Sequence, residues 1–288
     1  MPPLSAIRDQ RSLTEQAHAE QSGCVTERKK PRAKKKESNW RGLLWLALFA
    51  WLFRSLIVAP FSIPSGSMLP GLYIGDYLLV AKWPYGFSRA SFLFGFPPIK
   101  GRVFGRLPER GDVAVFLGPT GEDVIKRVIG LPGDTVATSG GRLILNGRPV
   151  QRMALGPVPM RVSPNTACRT VTMEGAVIRA GACTYPAYRE TMPNGRSYVV
   201  LDQVDNPLAD DFGPVTVPAG NVFLMGDNRD DSADSRFPPS QGGMGFVPTE
   251  QLVGRAMLTF WSTDGSAEWL KPWTWVTALR TDRLGDRH

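Results

Sequence analysis

Apolar positions follow three different patterns along this chain. Residues 42–53 (GLLWLALFAWLF) are wholly apolar, Arg54 and Ser55 interrupt, and Leu56 to Phe61 resume the run. Counted from Gly42 to Ile63 this is about 20 residues, the length of one tilted helix in hydrocarbon. The pattern predicts a membrane anchor over 41–63, with Arg54 reaching the headgroups along its aliphatic stem. Upstream, residues 1–40 are polar, charged and without sustained period, which predicts a disordered basic tail. From residue 64 onward short apolar runs are broken by Gly, Pro, Asn and Asp. Tyr77 to Val80, Val113 to Leu117, Val124 to Ile129, Leu143 to Leu145, Tyr198 to Leu201 and Asn221 to Met225 read as strands. Asn146-Gly147 and Asn194-Gly195 read as hairpin turns. The prediction is a mainly β body of antiparallel meanders over 64–270, with a less regular inserted lobe at 151–215 and a C-terminal tail at 271–288. Trp261, Trp269, Trp273 and Trp275, interleaved with Phe260 and Leu270, give the C-terminal end an aromatic surface. It reads equally as a closing strand plus a helix or as a contact with the membrane interface.

Composition sharpens this picture. The chain holds 30 Gly and 25 Pro, in keeping with many turns and few long helices. The net charge of +8 is concentrated in Arg28 to Lys36 (RKKPRAKKK), where seven of nine residues are cationic. Directly before an apolar run, such a cluster sets membrane orientation rather than binding nucleic acid: residues 1–40 stay cytoplasmic and the body lies outside. A cleaved signal peptide is the competing reading. The leader is long, however, and no A-x-A site follows, since the stretch reads Val58-Ala59-Pro60. No C-x-x-C pair, zinc spacing, P-loop or dinucleotide glycine pattern occurs, so no metal or cofactor is expected.

The two histidines, His18 and His288, stand near the chain ends. A Ser-His-Asp or Cys-His hydrolase needs an internal imidazole, so proton transfer here falls to Lys, Asp, Glu or Tyr. Cys24 falls on the cytoplasmic side. Cys168 and Cys183 would share an oxidising compartment, where a disulfide between them is expected; the alternative is two free buried thiols.

Three segments carry chemistry. In Pro64-Ser65-Gly66-Ser67-Met68-Leu69-Pro70 two prolines and a glycine hold two serines in a rigid, non-helical turn, as a nucleophilic hydroxyl requires. After residue 60 there are four lysines, Lys82, Lys100, Lys126 and Lys271. Lys126 alone falls in a predicted strand, where period 2 puts it on one face with Val124 and Val128. An amine set among β-branched aliphatics is desolvated and loses basicity, moving towards the range of a general base. The third segment, Gly226 to Arg236 (GDNRDDSADSR), packs four aspartates, two arginines and two serines into eleven residues. It has no glycine at the sixth position and Phe237 at the twelfth, so it is not a calcium loop. Interlocked Asp–Arg pairs explain it better.

In this order, these segments resemble the type I signal peptidases of bacteria. Gly75-Asp76-Tyr77-Leu78-Leu79-Val80, Arg110-Gly111-Asp112-Val113-Ala114-Val115-Phe116 and Lys126 to Asp134 (KRVIGLPGD) extend the match over most of 64–262. Thr259 to Gly265 (TFWSTDG) resembles the Gram-negative branch. The resemblance implies a β body of coiled antiparallel sheets with a smaller inserted lobe, and a histidine-free serine endopeptidase. Ser67 would be the nucleophile and neutral Lys126 its general base. The Ser67 N–H and the Ser65 hydroxyl would form the oxyanion hole, and Ser232 would orient the amine. Asp234 with Arg236 and Asp227 with Arg229 would stiffen the loop beneath. Substrates would be secretory preproteins with small residues at −1 and −3 of the signal peptide, in pockets that Met68, Tyr77 and Leu78 would help line. The resemblance also implies a location in the bacterial inner membrane, in contact with lipid and with the catalytic domain on the periplasmic side; the one apolar run makes the expected anchor single-pass, and a monomer is expected. Gly71 where Thr is usual, Asp231 where Asn is more usual, and one membrane segment where some relatives have two are the departures. A pilus-processing Ser–Lys peptidase and a non-catalytic tethered β domain are the alternatives.

Overall fold

The computed structural model describes residues 40–168, 177–179, 182–268 and 270–288. The expected N-terminal tail up to residue 39, with Cys24, and Trp269 lie outside the described residues. Two compact units are distinguished, Met1–Leu44 and Trp45–His288; of the first, only the opening turn of α1 (Trp40–Leu56) is described.

Strands β1 (Val58–Ser62) and β2 (Asp76–Ala81) pair antiparallel, followed by a short ribbon of β3 (Phe87–Ser88) and β4 (Arg102–Val103). β5 (Val113–Leu117) and β6 (Asp123–Gly130) form a hairpin; β7 (Thr135–Ser139), β8 (Arg142–Leu145) and β9 (Arg148–Pro149) form a meander. β10 (Gln151–Arg161), β11 (Val177–Arg179), β12 (Ala182–Thr191) and β13 (Ser197–Leu201) build a separate four-stranded sheet. Helix α2 (Pro207–Asp210) leads to β14 (Phe212–Thr216), which returns to β7. β15 (Asn221–Met225), β16 (Val247–Pro248) and β17 (Leu252–Ser262) complete the largest sheet, ordered β1-β2-β17-β5-β6-β15-β16. Helix α3 (Trp273–Thr277) follows.

All pairings in the largest sheet are antiparallel, and register shifts along β17 bend it into a curl. Successive residues of β5 feed different cores: Val113 and Val115 join Ile63, Met68, Leu78 and Val80, while Ala114 and Phe116 join Val128, Val222 and Leu224. The central strands are therefore covered on both faces, which is why they read as continuous apolar runs rather than alternating ones. A third core under β7, β8 and β13 includes Val136, Leu143, Val200 and Phe223. Asn146 and Gly147 both take positive φ, 53° and 74°, between β8 and β9. That is the turn which asparagine-glycine favours.

Three features depart from expectation or add to it. The apolar run expected to be helical over 41–63 is helix only to Leu56, because Val58–Ser62 pairs with β2 as an edge strand. Pro60 disfavours helix at Ala59 and tolerates an edge position. Among the described residues no helix is long and apolar enough to cross a membrane. The C-terminal segment folds back on the body. Arg283 donates to the Gly71 carbonyl at 2.8 Å and pairs with Asp76 at 2.7 Å, and His288 meets Thr259 at 2.9 Å. Cys168 and Cys183 are joined as a disulfide, their Cα atoms 5.7 Å apart.

Candidate active site

β6 carries Lys126 opposite Ala114, on the strand face that Val124 and Val128 share. The amine donates a hydrogen bond to the Ser67 hydroxyl. Both residues are buried, Ser67 at 8% and Lys126 at 4% exposure. Burial lowers the Lys126 pKa to about 8, against the opposing pull of Asp234, Asp227 and Asp231. Ser65 brings its hydroxyl to 3.4 Å from that of Ser67. A cavity of about 200 Å³ opens beside the pair, walled by Phe61, Ile63, Val115, Val124 and Ile125. Met68 and Leu78 are fully buried in the core, and Tyr77, on the other side of β2, is exposed against Phe260, their rings 6.3 Å apart. None of these three lines the cavity. Period 2 along β2 separates Tyr77 from Leu78, so one strand segment could not deliver both to one pocket.

The loop after β15 holds the serine turn from below. Asn228 donates from its backbone to the Ser67 carbonyl at 3.1 Å and from its side chain to the Gly66 carbonyl at 3.2 Å. Asp234 accepts from the Gly226 N–H at 3.0 Å and forms a two-point pair with Arg236, at 3.0 and 2.9 Å. Burial alone would raise the Asp234 pKa; the Arg236 charge and these hydrogen bonds outweigh it and hold the carboxyl below its usual range. Asp227 and Arg229, expected to pair with each other, do not. Asp227 takes Arg127 in a two-point pair at 2.7 and 2.6 Å, and Arg229 takes Glu190 of β12. Each charge has found a partner from another strand, with both oxygens engaged, as a fully buried pair requires. Arg127 also lies 4.2 Å from the Tyr198 ring centroid. Ser232 is buried near the pair, but its hydroxyl makes no hydrogen bond, to Lys126 or to any other described group. A Cβ on Gly226 would lie 2.2 Å from that hydroxyl and 2.6 Å from the Ser67 carbonyl, so only glycine fits there.

Sequence reasoning missed Arg127, Glu190 and Asn228. Arg127 stands next to Lys126 and by alternation must face the other way, which was a usable signal. Glu190 had none, being one acid in the inserted lobe, 39 positions from its partner.

In chemical class, a buried hydroxyl–amine pair beside a small apolar cleft suits a serine hydrolase that works without histidine. Residues 38–261 match the family described as signal peptidase, peptidase S26. Proteins named signal peptidase I align along most of their length. That of Rickettsia akari is 32% identical over 86% of this chain and 91% of its own. That of Rickettsia typhi is 33% identical over 86% and 92%, and that of Rickettsia prowazekii 34% over 82% and 87%. A crystal structure of a signal peptidase I from Enterococcus faecalis is 27% identical and covers 52% of this chain and 97% of that one, with a TM-score of 0.28. The chain belongs to the signal peptidase family, peptidase S26, and is a serine peptidase of the signal peptidase I kind, removing signal peptides from preproteins.

Proposed function

We propose that Ser67 attacks the scissile carbonyl while neutral Lys126 takes its proton, and that the reaction passes through an acyl-enzyme which water resolves. The observation that carries this reading is the hydrogen bond from the Lys126 amine to the Ser67 hydroxyl inside a buried site. A pKa of about 8 leaves a useful fraction of the amine neutral at physiological pH, and the same amine, once protonated, can serve the leaving nitrogen. The Ser65 hydroxyl and the Ser67 N–H, which has no acceptor among the described residues, are the oxyanion donors. The apolar cavity of about 200 Å³ suits small side chains at −1 and −3. Its walls are the side chains named above, in place of Met68, Tyr77 and Leu78.

The same reading sets the enzyme at the bacterial inner membrane, its catalytic body on the periplasmic side. Helix α1 is apolar on every side, with Leu43, Trp45, Leu46 and Phe49 all exposed. A helix of that kind needs an apolar surrounding. Trp261, Trp273 and Val276 add exposed apolar surface at the C-terminal end. Anchoring enzyme and signal peptide in one bilayer raises their effective concentration. Cleavage of a preprotein by the intact chain, Ser67→Ala and Lys126→Ala in detergent tests the chemistry. Processing by the intact chain alone is expected; processing by either variant at an undiminished rate overturns the dyad.

A further inference from the structure

A second, larger cavity of about 820 Å³ lies beside the C-terminal end of α1. It shares Phe61 and Asp123 with the cleft beside Ser67, but neither Ser67 nor Lys126 lines it. Its wall holds four cations: Arg54 from the last turn of α1, Lys82 after β2, Arg89 and Lys100. Against them stand two carboxylates, Asp123 and Glu250. Arg127, Arg229 and Arg236 of the catalytic region all sit in ion pairs. Among the described residues, none of the four cavity cations does.

Lys82 is the sharpest of them. It is 4% exposed, its amine is 5.3 Å from the Phe61 ring centroid, and burial lowers its pKa to about 8. Asp123 partly offsets that effect and Arg54 reinforces it. A buried ammonium whose nearest carboxylate offsets its burial only in part is costly, and an incoming anion would lower the cost. The exposed part of the wall mixes Arg54, Arg89 and Lys100 with apolar side chains. Phe92, Leu93 and Phe94 line the mouth, Phe94 is 90% exposed, and Phe96 touches Trp51 of α1 with ring centroids 6.4 Å apart. Lys82 lies within, and at the mouth the three exposed cations stand beside the apolar helix and the aromatics, so the complementary molecule carries an anionic head on an apolar tail. An acidic peptide would satisfy the cations and leave the aromatics uncovered.

We propose that this cavity receives the phosphate headgroup of an anionic phospholipid, whose acyl chains lie along α1 and the Phe92–Phe96 segment. The assignment rests on the membrane location inferred above. Lipid bound there would fix the body beside the bilayer at the end of α1, one cavity away from the reacting serine.

Co-flotation of the full chain with vesicles tests it, comparing phosphatidylcholine with an equal mixture of phosphatidylcholine and phosphatidylglycerol. Tighter binding to the anionic vesicles is expected, by about fivefold per engaged cation. The double variant Arg54→Gln/Lys100→Gln should lose most of that gain while keeping the binding to neutral vesicles, which also reports an intact fold. Arg148→Gln/Arg161→Gln removes the same charge from exposed positions elsewhere and should keep the gain. Equal loss in both double variants, or no preference of the unaltered chain for anionic vesicles, overturns the site. Inorganic phosphate should compete no better than chloride of equal ionic strength; stronger displacement would make free phosphate the ligand and overturn the lipid assignment. Failure to bind either kind of vesicle removes the membrane reading itself, a different outcome from loss of the anionic gain alone.

Discussion

Lys126 and Lys82 are alike in everything that burial controls. Each is 4% exposed, and burial brings each pKa to about 8. They differ in what the amine meets. Lys126 finds the Ser67 hydroxyl, on a turn gripped from below by Asn228, whereas Lys82 faces the Phe61 ring and an open cavity. A lowered pKa makes an amine available as a base; an acceptor of known geometry makes it one. The comparison separates chemistry from electrostatics within a single molecule.

The largest effect expected is on turnover. Lys126→Met should lower kcat for preprotein cleavage by roughly 10²–10⁴-fold, the usual contribution of a positioned general base. Lys126→Arg should be as inactive, because a guanidinium stays protonated; near-normal turnover in that variant would remove the general base. Next come the buried pairs beneath the serine. Glu190→Ala leaves Arg229 buried without its carboxylate and should cost about 3–5 kcal/mol in chemical denaturation. A cost below about 1 kcal/mol, the value of a surface pair, would show the pair to be dispensable. Opening the Cys168–Cys183 bridge with Cys183→Ser should cost about 3 kcal/mol, for a loop of 15 residues. No loss under oxidising conditions would mean the bridge is not formed. The pH profile is gentler. Since protonation disables the base, kcat/KM should rise with pH and level off near pH 8, falling about tenfold per unit on the acid side. A profile flat from acid to alkaline pH counts against the amine. In Lys82→Met the same inflection should persist; its disappearance would make Lys82, not Lys126, the group that titrates.

Much of the β body was legible because its strands follow rules that act locally. The runs at Val113 to Leu117 and Asn221 to Met225 are strands with those bounds, since a continuous apolar run closed by turn residues fits a sheet covered on both faces. Asn146-Gly147 formed its turn because positive φ at both positions is a local preference. The apolar run at 42–61 misled, because hydropathy cannot distinguish a helix that continues from an edge strand that starts, and Pro60 was the cue. In the site, the serine turn and the lysine strand were visible as segments. The partner of Arg229 was not, because a charge pair between distant strands leaves no spacing to read.

By itself the sequence determined which side chains could do chemistry here: a serine in a proline-bounded turn, a lysine among aliphatics, and no internal histidine. Those are properties of residue type and nearest neighbours, and they act over a few positions. Only the tertiary structure decided that the amine of Lys126 reaches Ser67, that Asp227 takes Arg127 while Arg229 takes Glu190, and that Lys82 is left facing a cavity. Burial and long-range pairing arise when segments far apart in the chain close on one another, and local pattern holds no record of which ones will.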